Sequence, residues 1–121
     1  MESQHIKTFR DLIVWQKSMA FVTNVYKSTK NFPIEETYSL TNQLRRCSVS
    51  IPSNIAEGFG RNSRKDFKRF LQIAIGSVFE IQTQLEISIN LEYFVNNKFD
   101  ELYEQSREIE RLLSSFINKL K

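Results

Sequence analysis

Residues 67–88 read FKRFLQIAIGSVFEIQTQLEIS and contain the longest regular apolar pattern in this 121-residue chain. The positions that recur at alternating spacings of four and three are Phe67, Leu71, Ala74, Val78, Ile81, Leu85 and Ser88. This spacing places side chains on one face of an α-helix. The stretch therefore predicts a long amphipathic helix with one face in a hydrophobic core.

Three other segments show the same periodicity. Their apolar faces are Leu12, Trp15, Met19, Val22 and Tyr26; Leu40, Leu44, Cys47, Ile51 and Ile55; and Leu102, Ile109, Leu113, Phe116 and Leu120. We predict helices over roughly residues 8–31, 34–59, 63–94 and 98–120. Because the connections are short, neighbouring helices are expected to be antiparallel. The sequence thus predicts an all-α protein in which residues 1–121 form a single up-down-up-down four-helix bundle.

The composition restricts the class of protein. Apolar residues make up 40% of the chain and charged residues 26%, which suits a folded domain and not a disordered one. The single cysteine, Cys47, cannot form an internal disulfide, and we see neither a signal peptide nor an apolar run long enough for a membrane span. We therefore expect a cytoplasmic protein that does not contact membranes.

Residues 50–61, SIPSNIAEGFGR, combine a proline with two glycines between the second and third predicted helices. Pro52 predicts a bend within the second helix because it removes a backbone donor. Gly58 and Gly60 predict the end of that helix, since glycine enters the left-handed region at no steric cost. The residues that follow are expected to form the corner that leads to the third helix.

A basic cluster begins at this corner and has a net charge of +4 over residues 61–69. Its cations are Arg61, Arg64, Lys65, Lys68 and Arg69. They lie around a helix N-terminus, where cations oppose the helix dipole and free backbone donors favour an anion such as phosphate. The cluster predicts contact with the backbone of a nucleic acid, and the alternative is an ordinary solvated basic face.

Several of these stretches also resemble the 23S rRNA intervening-sequence protein family. The similar segments are residues 9–17 (FRDLIVWQK), 40–46 (LTNQLRR), 50–61 (SIPSNIAEGFGR) and 70–77 (FLQIAIGS). The resemblance implies a bacterial four-helix bundle that assembles into a ring-shaped homopentamer. Some family members are encoded inside insertions in 23S rRNA genes. A related branch comprises accessory proteins of diversity-generating retroelements, which bind nucleic acid and a reverse transcriptase.

The resemblance extends the candidate nucleic-acid contacts to Arg45 and Arg46, beside the five cations of the corner. It also makes RNA or DNA, and by analogy a reverse transcriptase, candidate partners. Phe67 interrupts the basic cluster but belongs to the core face, so base stacking has little support and low sequence specificity is expected. The alternative function is a protein–protein scaffold that does not bind nucleic acid.

Enzymatic activity has little support in the sequence. Catalysis or metal binding needs converging His, Cys, Asp or Glu side chains. The one histidine, His5, lies near the terminus, Cys47 lies on an apolar face, and Glu57 and Glu80 have no evident partner base. We therefore predict no catalytic residue, no metal site and no cofactor.

Apolar residues outside the predicted core faces indicate self-association. They are Val14, Phe21 and Val25 in the first helix, Val49, Pro52, Ala56 and Phe59 in the second, and Ile75 and Phe79 in the third. Burial of such side chains between subunits would stabilise a homo-oligomer. The alternative is that they widen the core faces of one protomer. The number five for the subunits comes from the family resemblance alone.

One contact between helices is also expected. If the second and third helices are antiparallel about a corner near residue 61, Glu80 comes level with Gln43 and Arg46. We predict that Glu80 pairs with one of them.

Overall fold

The computed structural model describes residues 6–95 and 97–120, so His5 and Asn96 lie outside the described residues. The four α-helices are α1 (Ile13–Ser28), α2 (Leu40–Gly60), α3 (Arg64–Asn90) and α4 (Lys98–Lys119). Short 3-10 turns lie at Phe9–Asp11 and Ile34–Glu36. The described part of the chain has no strand, which confirms the predicted all-α class with four helices.

The helices pack side by side in chain order. Helix α1 lies against α2 and α4, and α3 lies against α2 and α4. Helix α3 is antiparallel to α2, because Cys47 contacts Glu80 whereas Gly58 lies beside Phe70. It is also antiparallel to α4, because Gln82 donates to Glu110 whereas Phe67 packs on Phe116. The pair formed by α1 and α2 therefore occupies one side of the bundle, and the pair formed by α3 and α4 occupies the other.

Three of the four predicted core faces are confirmed. In α3, every position of the pattern from Leu71 to Ser88 is buried, and Phe67 packs against the core. In α2 the predicted face from Leu40 to Ile55 is buried throughout. The α4 face is buried from Leu102 to Leu113, and its last two residues are partly buried.

The predicted core face of the first helix was wrong beyond its start, where Leu12 is buried and Trp15 packs against the core. Met19 and Tyr26 are 42% and 40% exposed, whereas Val14, Phe21 and Val25, which we predicted to contact other subunits, are buried inside the protomer. The position that links these three along the helix is Ser18, whose hydroxyl donates to the Val14 carbonyl. Because this internal hydrogen bond satisfies the hydroxyl, a serine can lie at a buried position of the helix.

The prediction that α2 ends at its glycines is confirmed in position, since the last helical residue is Gly60, but the reason given for it needs correction. The helix continues through Pro52 and Gly58 as far as Gly60, and neither glycine has a positive φ. Gly58 is required for another reason: a Cβ at this position would lie 2.6 Å from the Phe70 Cβ. The glycine therefore allows α2 and α3 to approach closely next to their corner.

The first two helices begin later than predicted. At the first, the Thr8 and Asp11 side chains cap a 3-10 turn, and extended Leu12 separates this turn from α1. The second begins at Leu40, after the turn Ile34–Glu36 that follows Pro33. None of the described helices combines the length and apolar character needed to cross a membrane.

Candidate nucleic-acid interface

The corner between α2 and α3 is tight because only residues 61–63 connect the two helices. The Ser63 hydroxyl caps α3 by accepting from the Asp66 backbone N–H at 3.1 Å. The N–H groups of Arg64 and Lys65, at the first two positions of α3, have no acceptor within the helix. The corner therefore presents backbone donors beside its cationic side chains, which together suit an anion.

Two of the corner cations are held by contacts within the protomer. Arg61 forms an ion pair with Glu57, with 2.9 Å between Nη2 and Oε2. The guanidinium carbons of Arg61 and Arg69 lie 5.0 and 4.6 Å from the ring centroid of Phe70. These contacts restrain the two side chains at the surface, and Arg61 is already partly neutralised.

The other three cations are available to an external anion. Arg64 and Lys65 are exposed and Lys68 is partly exposed. None of the three takes part in an ion pair within the described residues. Cations at the start of a helix oppose its dipole, so a bound anion would relieve an unfavourable interaction at this position.

The structure does not bring Arg45 and Arg46 to this corner. Arg45 lies against the end of α1, where its Nε donates to the Thr29 hydroxyl at 3.0 Å and its Nη2 donates to the Tyr26 carbonyl at 3.3 Å. The prediction that Arg45 contacts nucleic acid therefore stays a prediction, for a residue whose guanidinium is already engaged by α1. Arg46 is exposed, but it lies roughly 22 Å from Arg61 along α2 at 1.5 Å per residue.

Sequence reasoning missed three cations at the corner end of the bundle. Lys7 and Arg10 precede α1, and Lys119 ends α4. Antiparallel packing brings these termini to the corner, as the 5.2 Å separation of the Phe67 and Phe116 rings shows. Residues 7–11, 57–69 and 116–120 together contain eight cations and three carboxylates.

The opposite end of the bundle has the opposite charge. Residues 27–37 together with 91–95 and 97–104 contain six carboxylates and three cations. The topology that was predicted from the sequence could have revealed this polarity, because alternate connections of an up-down bundle lie at opposite ends. The charge distribution favours the corner end as the surface that meets a polyanion.

Cys47 lies in a polar contact between α2 and α3. Its thiol donates to the Ser77 carbonyl at 3.2 Å and contacts Glu80 Oε1 at 3.6 Å. Burial raises the pKa of the Cys47 thiol to about 12, and the negative charge of Glu80 adds to the rise. Glu80 thus contacts Cys47, and the predicted pairing of Glu80 with Gln43 or Arg46 is not found among the described residues.

Comparison with known proteins identifies the group to which this bundle belongs. A family model described as 23S rRNA-intervening sequence protein matches residues 10–115, which include nearly all of the four helices. The chain belongs to this family. The predicted family is therefore confirmed, while the link to accessory proteins of diversity-generating retroelements stays a prediction.

A solved structure is similar to this 23S rRNA-intervening sequence family protein over most of its length. It comes from Bacteroides thetaiotaomicron and is described as a protein with unknown function from the S23 ribosomal protein family. The two chains share 31% identity with a TM-score of 0.78, over 87% of this chain and 98% of that one. Among proteins with curated descriptions, no significant match was found.

Proposed function

We propose that this protein is a non-enzymatic homo-oligomer that binds the backbone of RNA or DNA through its corner surface. The corner surface comprises Arg61, Arg64, Lys65, Lys68 and Arg69. The observation that carries the proposal is the group of three available cations, Arg64, Lys65 and Lys68, beside the free backbone donors of α3. The family's name, which refers to 23S rRNA, favours RNA over DNA as the first candidate.

The proposed contact is with phosphates and not with bases. The aromatic rings near the corner are engaged within the protomer: Phe67 packs edge-to-face against Phe59 and Phe116, and Phe70 is buried. A stacking platform for bases needs exposed aromatic faces. Lysine and arginine contacts to phosphates supply affinity without reading sequence. The binding is therefore expected to show little sequence preference.

Oligomerisation is part of the proposal because one protomer offers few phosphate contacts. Non-specific complexes typically have Kd values of about 10⁻⁴–10⁻⁶ M at physiological salt. Linked copies of a weak site raise the overall affinity by roughly 10²–10⁴ when one strand reaches several of them. A homo-oligomer, with five subunits as in the family resemblance, would repeat the corner surface in this way. We also propose a cytoplasmic location, on the basis of the single cysteine, and a reverse transcriptase partner, on the basis of the family resemblance.

The test compares two triple variants. In the first, Arg64, Lys65 and Lys68 are replaced by alanine; in the control, Lys27, Lys30 and Lys98 at the opposite end are replaced by alanine. Both variants lose three positive charges, so net charge alone cannot distinguish them. Binding to fluorescein-labelled single-stranded RNA, double-stranded RNA and double-stranded DNA is measured by anisotropy over a series of salt concentrations.

We expect the wild-type protein and the control to bind alike, with affinity that falls steeply as salt rises. The corner variant should bind every probe more weakly, and its slope of log affinity against log salt should flatten by about one unit per lost phosphate contact. Failure of the wild-type oligomer to bind any probe at about 50 mM salt, where such contacts are strongest, would refute the proposal. The scaffold function would then replace it.

A further inference from the structure

The most exposed large apolar side chains among the described residues lie together at one end of the bundle. They are Tyr38, Ile34, Val95 and Leu91, which are 91%, 87%, 62% and 50% exposed. The first two belong to the connection between α1 and α2, and the other two to the connection between α3 and α4. We call these four residues the apolar end surface. It lies at the end opposite the corner surface, so the proposed function does not use it.

Side-chain contacts hold these two connections against each other. The Tyr93 hydroxyl donates to Glu36 Oε2 at 2.7 Å, and the Phe32 ring centroid lies 5.2 Å from those of Tyr93 and Phe94. Phe32 and Phe94 are buried and belong to the hydrophobic core at this end. Packing of the core therefore does not need the apolar end surface. Single exposed apolar residues are common, whereas a group of them at one place marks an interaction site.

Carboxylates accompany this surface, without cations in the same segments. Residues 31–39 and 91–95 contain Glu35, Glu36 and Glu92 and no lysine or arginine. Glu36 is engaged by hydrogen bonds within the protomer. Glu35 and Glu92 are exposed, and neither takes part in an ion pair within the described residues. The surface therefore presents negative charge to a partner beside its apolar side chains.

Glu92 occupies a position that glycine usually fills. Its φ is 60°, the only positive value at a non-glycine residue in the described part of the chain. The Tyr93 N–H donates to the Ser88 carbonyl and the Glu92 N–H to the Ile89 carbonyl, a pattern in which glycine is the common residue at this place. A side chain in the left-handed region is unfavourable. This cost is accounted for if the Glu92 carboxylate contacts a partner.

We propose that the apolar end surface binds a basic, amphipathic segment of a partner protein. The apolar side chains of the segment cover Ile34 and Tyr38, and its lysines or arginines meet Glu35 and Glu92. Tyrosine is enriched among the residues that dominate binding energy at interfaces, and complementary charge selects the partner. The inference does not depend on the proposed nucleic-acid binding.

The same charges disfavour the other occupants of such a surface. Nucleic acid and an anionic membrane are both repelled by exposed carboxylates. A second copy that presents its own acidic end brings like charges together. The corner end of a second copy is basic, but its Phe67 ring packs against Phe59 and Phe116 and does not cover Tyr38.

The position of the apolar end surface leaves the corner surface free. Helix α3 runs from one end of the bundle to the other, and its 27 residues span about 40 Å at 1.5 Å per residue. A protein partner and a nucleic acid can therefore be bound at the same time, one at each end.

The first experiment selects a ligand from a phage-displayed library of short random peptides on the immobilised wild-type protein. Before each round the library is depleted on the double variant Ile34→Ser/Tyr38→Ser. The matched control is Ile13→Ser/Ile73→Ser, since these residues are 43% and 42% exposed and lie in the half of the bundle nearer the corner. Fluorescence anisotropy measures the affinity of the selected peptides, and circular dichroism verifies that each variant is helical.

We expect the selected peptides to be rich in lysine or arginine and in apolar residues. They should bind the control as tightly as the wild type, and Ile34→Ser/Tyr38→Ser at least about tenfold more weakly. The proposal is overturned if selection yields no peptide that distinguishes the wild type from this variant, or if the selected peptides are acidic.

Glu92→Gly separates binding from stability. Glycine removes the left-handed strain, so this variant should resist urea at least as well as the wild type. It should nevertheless bind the selected peptides about threefold more weakly at low salt, and Glu35→Gln/Glu92→Gln more weakly still. These differences should disappear at about 1 M salt, where exposed charges are screened. Unchanged affinity in both variants at low salt would contradict a basic occupant.

The other occupants are tested with the same Ile34→Ser/Tyr38→Ser variant. Loss of the wild-type mass in light scattering would identify a second copy as the occupant, and loss of binding to anionic phospholipid vesicles would identify a membrane. Either result overturns the proposal. The triple corner variant should bind the selected peptides like the wild type, so failure of this inference and failure of the proposed function are distinguishable.

Discussion

Gly58 shows how the absence of one side chain determines the distance between two helices. It is buried at the end of α2 that adjoins the corner, where α3 passes close enough that a methyl group would meet both Phe70 and Phe67. Gly60, two residues later, faces open space. The two glycines of the same helix therefore have different physical functions, which makes them a matched pair for substitution.

Gly58→Ala is expected to destabilise the protein, and Gly60→Ala is not. Overpacking at a tight position typically costs about 1–3 kcal/mol, because neighbouring side chains or helices must shift. At Gly60 the alanine meets nothing, and it reduces the backbone freedom of the unfolded chain. Urea unfolding of both variants measures the difference. Equal stabilities would show that α2 and α3 separate at no cost and that the close approach is unimportant.

The Cys47 thiol should ionise only at high pH in the folded protein. Burial and the neighbouring Glu80 carboxylate raise its pKa to about 12 from an ordinary value of 9.0. Because the folded pKa is above the unfolded one, this thiol supports folding at pH below 9, and its contribution disappears as pH rises from 9 towards 12.

The test uses the rate at which a thiol reagent labels Cys47 as a function of pH. In the native protein the rate should still be rising at the highest pH at which the fold persists. Glu80→Gln should move the profile to lower pH because it removes the negative charge beside the thiol. An unchanged profile in this variant would show that Glu80 has no effect on the thiol.

At the scale of elements, Arg45 connects the beginning of α2 to the end of α1. Its guanidinium lies 4.8 Å from the Tyr26 ring centroid and donates to Thr29 and to the Tyr26 carbonyl. These carbonyl and hydroxyl groups lie at the C-terminal end of α1, where a cation is favoured by the helix dipole. Arg46, the next residue, points to solvent and makes no such contact within the described residues.

Arg45→Ala should lower the free energy of unfolding by about 1–2 kcal/mol, since it removes charge-assisted hydrogen bonds between two helices. Arg46→Ala should change it by no more than about 0.5 kcal/mol, as is usual for an exposed residue. Chemical denaturation followed by circular dichroism compares the two. If the two variants are equally stable and only Arg45→Ala weakens binding to the RNA probes, Arg45 does not stabilise the contact between α1 and α2.

At the scale of the whole molecule, the bundle is polarised in two directions. Along its axis, the corner end is basic and the opposite end is acidic. Across its axis, the α1–α2 side has an apolar groove whose lining includes Trp15, Met19 and Val49, and α3 exposes Phe79.

Self-association should make thermal stability depend on protein concentration. Association that requires the folded state stabilises it, so the Tm of the wild-type protein is expected to rise between about 1 and 100 µM. Differential scanning fluorimetry at several concentrations provides the comparison. A wild-type Tm that is independent of concentration would contradict self-association in this range.

The helical class and three of the core faces were predictable because they are local properties. A 4-3 alternation such as that from Leu71 to Ser88 allows one apolar face, and the side chains of that face have no better place than the core. Helix α1 was different because it has two apolar faces, and the sequence does not show which one meets the other helices. The structure places Phe21 in the core and Met19 at the surface.

By itself, the sequence determined the number of helices, their order and the basic cluster at the corner. Periodicity and clustered charge are properties of residues that are close together in the chain. Only the tertiary structure decided which face of α1 is buried, that Arg45 supports α1 while Lys7 and Lys119 join the basic end, and that Gly58 serves close packing. Each of these depends on what lies opposite a residue in space. That neighbour belongs to another helix, whose rotation about its axis is determined by packing all four helices together.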